Sequence, residues 1–263
     1  MSDILEEIIS KRRQTVKQLK TIVPIGAWEM MPLFSKDCIS LKENLLNEKL
    51  TGIIAEFKRS SPSKGVINDK ANIFETVYGY EKYGAAGVSI LTEPVFFNGS
   101  NDDILSIAES LTIPILRKDF ILEEYQLMES KAIGADVILL IAACLSPAEV
   151  KRLAAFAKGL GLEVLLEIHN EKELGHICDE TDLLGINNRN LKTFEVNINT
   201  SLQLINKIPT GKLVIAESGI SNVETIVTLK QAGFKGFLIG ETFMKQPDPT
   251  IAFAEFVKSL APS

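Results

Sequence analysis

The stretch ADVILLIAACLSPAEVKRLAAFAKGLGLEVLLEI, residues 135–168, contains one complete unit of the pattern that decides the fold. Its two strand-like runs, Val137–Ile141 and Glu163–Ile168, are mostly apolar, as in parallel strands that are covered on both faces. Between them, the residues SPAE at 146–149 have the pattern of a helix N-terminus, and the apolar stripe that follows stops at Gly159. The stretch therefore predicts a strand, a helix and a second strand.

Similar runs occur along the chain after residue 50, and they bring the number of predicted strands to eight. Their spacing of about 20 to 35 residues is the length of one βα unit. The predicted strands are Gly52–Lys58, Gly87–Thr92, Ile113–Lys118, Val137–Ile141, Glu163–Ile168, Leu183–Asn187, Leu213–Ser218 and Gly236–Ile239. Eight strands, each followed by a helix, predict an α/β fold of the closed (β/α)8 TIM barrel type rather than an open doubly wound sheet.

The segments between the strands carry helix signals. The residues SNVE at 221–224 have a capping-box pattern, with Ser221 as the expected N-cap, and that helix is expected to end at Gly233. The pair Asp248 and Pro249 is expected to start the last helix. Helical stretches are also expected after strands one, three and five, with a shorter one after strand six.

Residues 1–50 precede the predicted barrel, which spans 51–263. The apolar residues among the first 20 fall on one helical stripe: Ile4, Leu5, Ile8, Ile9, Val16 and Leu19. Basic residues on the rest of that helix are expected on its solvated surface: Lys11, Arg12, Arg13, Lys17 and Lys20. We expect an N-terminal helical extension packed on the barrel, and a membrane or partner helix is the alternative.

The charge and composition exclude several classes of protein. The net charge of 28 − 34 = −6 argues against a nucleic-acid binder. The longest uncharged apolar run, Val137 to Leu145, is nine residues and cannot span a bilayer. The first residues, MSDILEE, have no export signal, and three cysteines without CxxC spacing are typical of reduced thiols, so we expect a cytoplasmic protein. Two histidines make a multi-histidine metal site improbable.

Polar residues stand repeatedly at the ends of the predicted strands, where a barrel has its active site. Glu56 and Lys58 are two residues apart and therefore share one face of strand one. The other strand-end residues are Arg117, Lys118 and Asp119 on strand three, Glu167 on strand five, Asn187 and Arg189 on strand six, and Glu217 on strand seven. Such charges would be costly inside the barrel, so they predict an active site at its mouth.

Two features predict phosphate binding. Ser218 and Gly219 follow strand seven and Gly240 follows strand eight, the places where barrels bind phosphate through backbone N–H groups. Ser61, in the loop after strand one, could supply a hydroxyl. Because no histidine cluster exists, acid–base chemistry falls to lysine and glutamate. A lysine at this mouth acts either as a general acid or as a Schiff-base nucleophile, and spacing does not separate the two.

Seven segments resemble those of the indole-3-glycerol-phosphate synthase family, in the family's order and across essentially the whole chain. They are IAEFKRSSPSKG (54–65), LTEPVFFNGS (91–100), LRKDFILEEYQ (116–126), LLEIHNEKEL (165–174), GINNRNLKTFEVN (185–197), IAESGI (215–220) and FLIGETFM (237–244).

The resemblance implies a cofactor-independent carboxy-lyase of tryptophan biosynthesis. The implied substrate is 1-(o-carboxyphenylamino)-1-deoxyribulose 5-phosphate, which undergoes ring closure, decarboxylation and dehydration to indole-3-glycerol phosphate. It implies a small phosphorylated molecule as the ligand, with no nucleic acid, membrane or metal partner, and a monomer or weak homo-oligomer.

Residue roles are implied by motif position. Lys118 resembles the general acid at the ribulose carbonyl, and Lys58 the group that holds the anthranilate carboxylate and serves as acid in dehydration. The other implied roles are charge stabilisation or proton uptake for Glu56 and Glu167, a hydroxyl contact for Asn187, carboxylate orientation for Arg189, a further acid at Glu217, phosphate contacts for Ser61, Ser218, Gly219 and Gly240, and packing on the aromatic ring for Phe97 and Phe120.

Two further residues carry expectations. Glu241 stands where some relatives have serine, and an anion beside a phosphate is unfavourable, so its side chain is expected to point away from the site. His169 directly follows strand five and is expected to support its loop rather than to act in the chemistry.

Other functions remain open at this point. Phosphoribosylanthranilate isomerase is disfavoured because Cys144, just past strand four, has no aspartate on strand seven as a partner. A Schiff-base aldolase predicts a covalent lysine adduct, and a barrel without activity would serve as a binding or scaffold subunit.

Overall fold

A computed structural model describes residues 4–260 of the chain. Eight parallel strands form one closed barrel in which neighbours follow the order of the sequence and the eighth strand pairs with the first. The barrel strands are β1 Ile53–Phe57, β2 Gly87–Leu91, β3 Ile115–Lys118, β4 Val137–Ile141, β5 Glu163–Ile168, β6 Leu183–Asn187, β7 Leu213–Glu217 and β8 Gly236–Ile239. The predicted TIM barrel and all eight of its strands are confirmed. A short hairpin, Ser60–Ser61 with Gly65–Val66, lies in the loop after β1.

Helices alternate with these strands and surround the barrel. The α-helices are α1 Ile4–Ile22, α2 Ile25–Glu29, α3 Leu41–Leu46, α4 Ile73–Lys82, α5 Asn101–Ile107, α6 Glu124–Ala132, α7 Pro147–Gly159, α8 Asn199–Leu204, α9 Val223–Ala232, α10 Glu241–Met244 and α11 Pro249–Leu260. The predicted start of α7 is confirmed, since Ser146 and Glu149 form a reciprocal capping box. None of the helices within 4–260 is long and apolar enough to cross a membrane.

Two helix predictions need correction. After β5 the chain forms a 3₁₀-helix, Glu171–His176, instead of an α-helix. This segment has six residues and contains Gly175, and short, weakly helical pieces commonly take the 3₁₀ form. The N-cap of α9 is Asn222 rather than Ser221, because the Asn222 side chain accepts the Thr225 N–H. That helix ends as predicted, at Gly233 with a φ of 110°.

Alternate residues of each strand point into the barrel. The lower part of the interior is apolar and includes Leu116, Leu139, Leu165 and Leu183. Towards the carboxyl ends of the strands the inward positions become polar: Glu167 pairs in register with Gly185, and Asn187 with Glu217. The barrel therefore carries a charged layer on top of a dry apolar base.

Helix α3 closes the opposite end of the barrel. Leu41 and Leu45 pack into the same apolar cluster as the inward strand residues. The carboxylate of Glu163, at the start of β5, accepts hydrogen bonds from the hydroxyl of Ser40 and the backbone N–H of Leu41. Access to the charged layer is thus from the mouth formed by the carboxyl ends of the strands.

Helix α1 packs on α6 and turns one of its basic residues inward. Val16 lies in a cluster with Trp28, Tyr125 and Met128. Arg12, expected on the solvated surface, is buried, and its Nη2 lies 2.6 Å from Oδ2 of Asp119. The expectation was wrong because helical periodicity does not reveal that a buried carboxylate faces that stripe.

Candidate active site

A cavity of about 540 Å³ opens at the carboxyl ends of the barrel strands. Every residue that the sequence assigned to catalysis or binding lines it: Glu56, Lys58, Ser61, Phe97, Lys118, Phe120, Glu167, Asn187, Arg189, Glu217, Ser218, Gly219 and Gly240. Parallel strands in a barrel end at one rim, and this is why residues 184 positions apart in the chain (56 to 240) meet there.

Lys118 lies at the centre of the charged layer. Its Nζ is 2.9 Å from Oε2 of Glu167 and 3.2 Å from Oε2 of Glu217. Burial alone would lower the pKa of Lys118, but the charges of Glu167, Glu217 and Glu56 outweigh burial and raise it. The amine is therefore protonated at neutral pH and aimed into the cavity.

The pKa values of the two carboxyl groups beside Lys118 are shifted in opposite directions. Burial opposes ionisation of Glu167, but Lys118 and His169 hold its pKa well below the usual range. Burial, together with the nearby charge of Glu167, raises the pKa of Glu217 to about 8 despite the attraction of Lys118. Glu217 therefore binds a proton more readily than Glu167, as expected for two acids that share one cation.

His169 is a member of this cluster, which the sequence did not predict. Its Nε2 lies 3.1 Å from Oε1 of Glu167, and its backbone N–H donates to Oε2 of Glu173 at 2.7 Å. Burial lowers the pKa of His169, but these two glutamates outweigh burial and raise it to about 9. The residue supports its loop as expected, and it is also a second cation against Glu167. Its position two residues after Glu167 was the available signal.

Glu56 and Lys58 form a second ion pair on β1, with Nζ of Lys58 2.5 Å from Oε1 of Glu56. Gly240 at the end of β8 makes room for it, since a Cβ there would lie 2.5 Å from the same Oε1. The Glu56 side chain is buried, and that of Lys58 is partly exposed to the cavity. The Lys58 ammonium group therefore faces the cavity, close to the Lys118 cluster, where it can contact a ligand.

Apolar side chains form one wall of the cavity. Phe97 and Phe120 lie with their ring centroids 6.1 Å apart. Helix α1 adds Ile4, Leu5 and Ile8 to the lining. This contribution was not predicted from the sequence, because the apolar stripe of α1 was expected only to pack on the barrel. The wall suits a flat apolar ring.

The opposite part of the cavity is formed by the loops after β6, β7 and β8. Ser218 and Gly219 have positive φ angles of 66° and 75°, a conformation that is strained for serine. The side-chain amide of Asn188 holds this turn by donating to the carbonyl oxygens of Glu217 and Ser218. Backbone N–H groups at such a turn and before a short helix can receive an anion.

Arg189 and Ser61 border the same end. The Nη1 atom of Arg189 is 3.5 Å from Oγ of Ser63, which in turn lies 3.5 Å from Oγ of Ser61. Glu241 does not point away, contrary to expectation. It lines the cavity, 3.5 Å from Nζ of Lys64 and 3.7 Å from Nη2 of Arg189, because these two cations attract it to the rim.

Arg117 is turned away from the cavity, although it stands in the same strand end as Lys118. It is fully buried behind β3, where Nη2 lies 2.5 Å from Oε2 of Glu129 and 3.2 Å from Oδ2 of Asp119. The alternation of the strand explains this, since Lys118 occupies the inward position and its neighbour must face the helices. Arg117 thus fixes the outer side of the strand that carries Lys118.

The chain matches the family model described as Indole-3-glycerol phosphate synthase over residues 5–256. It is 45% identical over 260 residues to the indole-3-glycerol phosphate synthase of Bacteroides thetaiotaomicron, covering 99% of this chain and all of the relative. It is 43% identical over 253 residues to that of Campylobacter jejuni subsp. doylei, covering 93% of this chain and 96% of the relative.

Two solved structures align with the same kind of barrel at low sequence identity. Tryptophan synthase subunit alpha from Legionella pneumophila aligns with a TM-score of 0.60 at 14% identity, over 84% of this chain and 96% of that one. The 3-hexulose-6-phosphate synthase from Salmonella typhimurium aligns with a TM-score of 0.62 at 12% identity, over 79% and 97%. At such identities the likeness concerns the fold alone.

Proposed function

The chain belongs to the indole-3-glycerol phosphate synthase family, and from that premise we propose how the residues of its cavity divide the work of closing an indole ring. The reaction is a step of tryptophan biosynthesis. In it, 1-(o-carboxyphenylamino)-1-deoxyribulose 5-phosphate forms a bond between its aryl carbon and its ribulose carbonyl carbon. Carbon dioxide and water then leave, and indole-3-glycerol phosphate results.

The observation that carries the proposal is the ammonium of Lys118, which faces the cavity with its Nζ 2.9 Å from Oε2 of Glu167 and 3.2 Å from Oε2 of Glu217. Lys118 donates its proton to the carbonyl oxygen of the ribulose as the aryl carbon attacks. Ring closure leaves positive charge on the substrate nitrogen, and the carboxylate of Glu167 stabilises that charge. Glu217, the second acid of the cluster, holds a proton close to Lys118.

The pair Lys58 and Glu56 serves the other end of the ring system. Lys58 holds the substrate carboxylate until it leaves as carbon dioxide. In the dehydration, Lys58 then protonates the departing hydroxyl group, while Glu56 or Glu167 takes up the proton lost from the ring. The direct contact between the Lys58 ammonium and the Glu56 carboxyl group keeps the two residues together at this end of the cavity.

The remaining lining residues bind and orient the substrate. Phe97 and Phe120 pack on the aromatic ring and exclude water from it. Asn187 forms a hydrogen bond with a substrate hydroxyl, and Arg189 orients the carboxylates at the rim of the cavity. The phosphate lies against the backbone of Ser218, Gly219 and Gly240 and against the hydroxyl of Ser61, with Lys64 neutralising Glu241 nearby.

We also propose that the protein acts in the cytoplasm without a cofactor, as a monomer or a weak homo-oligomer. Its three cysteines, Cys38, Cys144 and Cys178, are unbridged, which supports a reducing compartment.

The test is to mix the purified protein with the carboxyphenylamino-deoxyribulose phosphate in buffer with a chelator and to follow indole fluorescence. We expect the signal to grow for the wild type. Lys118→Ala should lower kcat by at least about 10²-fold, the usual scale for a lost general acid. Its Tm should fall as well, since removing one partner of a buried ion pair costs about 3–5 kcal/mol and leaves Glu167 with His169 as its neighbouring cation, so the rate is measured well below the melting temperature of the variant. The matched control, Lys151→Ala, removes an exposed lysine of α7 and should retain the wild-type rate.

The same experiment separates acid catalysis from a Schiff base. A protonated Lys118 is a poor nucleophile, so borohydride added during turnover should leave no substrate attached to it. A covalent adduct on Lys118, or a wild-type rate for Lys118→Ala, would contradict the assigned role.

A further inference from the structure

Gly185 lies in the middle of β6, buried, and in register with Glu167 of β5. Its φ lies outside the left-handed region, so the backbone does not require glycine here. Glycine within a strand costs about 0.5–1 kcal/mol relative to alanine. Because Gly185 faces inward in the charged layer, we infer that glycine occurs here because a side chain would not fit.

That space is occupied by the carboxyl group of Glu217. A Cβ on Gly185 would overlap Oε1 of Glu217 and lie 3.2 Å from its Cδ, whereas the next atom, Cδ1 of Leu165, would lie at an ordinary 3.4 Å. The Glu217 side chain is only 1% exposed. Its flexible end can therefore give way only by moving within the cavity that it lines.

We propose that Gly185 is a positioning residue of this active site, since its missing side chain lets the Glu217 carboxyl group reach Lys118. With Oε1 over Gly185, Oε2 lies 3.2 Å from Nζ of Lys118. Within the part of the chain that the structure describes, Oε1 has no hydrogen-bond partner, so the contact of Oε2 with Lys118 and the space over Gly185 together fix the carboxyl group. The inference rests on the proposed role of Glu217 and adds to it how that group is held.

A second glycine in the same layer is used in the same way. Gly240 makes room for Oε1 of Glu56, as described above. Gly87, at the opposite end of the barrel, differs because a Cβ there would meet Cδ1 of Leu41 at 2.9 Å and the carbonyl of Pro114 at 3.0 Å. It touches no residue of the charged layer and therefore provides a matched control.

The experiment is a double-mutant cycle in kcat and KM with Gly185→Ala and Glu217→Ala, beside Gly87→Ala. Gly185→Ala should lower kcat by about 10²-fold, since a displacement of about 1 Å at a catalytic group has that effect. Its KM should change by less than about threefold, because the phosphate end of the cavity is untouched. In the Glu217→Ala background, adding Gly185→Ala should change kcat by less than about twofold, since the overlapping atom is gone. Gly87→Ala should keep the wild-type kcat even if its melting temperature falls.

Each alternative result has a distinct meaning. Equal losses of kcat from Gly185→Ala in both backgrounds, or a wild-type kcat for Gly185→Ala while Glu217→Ala is impaired, would overturn the role of Gly185 alone. A wild-type kcat for Glu217→Ala would overturn the proposed role of Glu217 and the positioning role with it. If Gly185→Ala fails to fold, the double variant should fold as well as Glu217→Ala, and failure of both would refute the inference.

Discussion

The ion pair between Arg12 and Asp119 offers the sharpest test of how the N-terminal helix is attached. The two side chains are 7% and 0% exposed, and Nη2 of Arg12 is 2.6 Å from Oδ2 of Asp119. Arg12→Met removes the charge and keeps a flexible apolar stem of similar reach. The substitution leaves a buried carboxylate with one cation fewer.

The expected loss follows from what Asp119 retains. Removing one partner of a buried ion pair costs about 3–5 kcal/mol. Asp119 still accepts from the Thr92 hydroxyl at 2.6 Å, from Nη2 of Arg117 at 3.2 Å and from the backbone N–H of Phe120 at 2.7 Å. The loss should therefore lie at the lower end, about 3 kcal/mol. At about 2–4 °C per kcal/mol for a chain of this size, Tm should fall by about 6–12 °C.

The assay is thermal and urea unfolding at pH 7 with Arg13→Met as the control. Arg13 is the next residue on α1 and is exposed, so its substitution should change the free energy of unfolding by less than about 0.5 kcal/mol. Equal stability of the two variants at pH 7 would refute the reasoning.

The pH dependence of this difference has a definite sign. Burial opposes ionisation of Asp119, but Arg12 and Arg117 outweigh burial and lower its pKa. A lowered pKa stabilises the folded state above the unfolded value of about 3.9, and this stabilisation is lost as the pH falls towards the folded value. The difference in the free energy of unfolding between wild type and Arg12→Met should therefore become smaller below about pH 4.

Two other substitutions test the cavity. Ser61→Ala removes the hydroxyl proposed to contact the phosphate and should mainly raise KM in steady-state assays, because phosphate binding is shared by the ground and transition states; a loss confined to kcat would contradict the phosphate assignment. His169→Gln should destabilise the protein most near pH 6, by about 3 kcal/mol in urea unfolding, since Glu167 and Glu173 outweigh burial and raise the histidine pKa from 6.5 to about 9. The stabilisation that comes from a raised pKa is complete below the unfolded pKa and is lost as the pH rises through the folded pKa. The difference in the free energy of unfolding between wild type and His169→Gln should therefore disappear by about pH 9–10. A difference that stays constant with pH would refute the charge on His169.

The fold could be predicted from the sequence because each strand of a parallel barrel is buried on both faces and leaves a dense apolar run. The run VILLI at 137–141 became β4 without adjustment. The errors concerned the type of one helix, Glu171–His176, and the start of α9, where Ser221 and Asn222 are both good caps and Asn222 makes the capping hydrogen bond. Such choices depend on hydrogen bonds that neighbouring residues of similar type can both make.

The site was predictable for a topological reason. All strands end at one rim, so a polar residue at any strand end is a candidate without knowledge of its distance from the others. The sequence did not show which residues of each strand face the barrel interior and which face the helices. Arg117 and Lys118 look alike in the sequence, yet one faces the helices and the other the cavity.

Contacts between distant segments were equally hidden from the sequence. Arg12 meets Asp119 across 107 positions, and the fit of Gly185 to Glu217 depends on a neighbouring strand. Periodicity assigns a face to a residue but does not identify its partner. The same limit kept Ile4, Leu5 and Ile8 out of the predicted cavity.

The docking of α1 has a consequence for how the protein is made. Arg12 of this helix is synthesised 107 residues before Asp119. At about 5–20 residues per second this takes about 5–20 s. During that time a 19-residue helix with an apolar stripe has no barrel to cover it, and isolated helices of such length are marginal in water. The apolar wall of the cavity can therefore form only after β3 has been synthesised, so α1 takes its final place later than the first two strands are made.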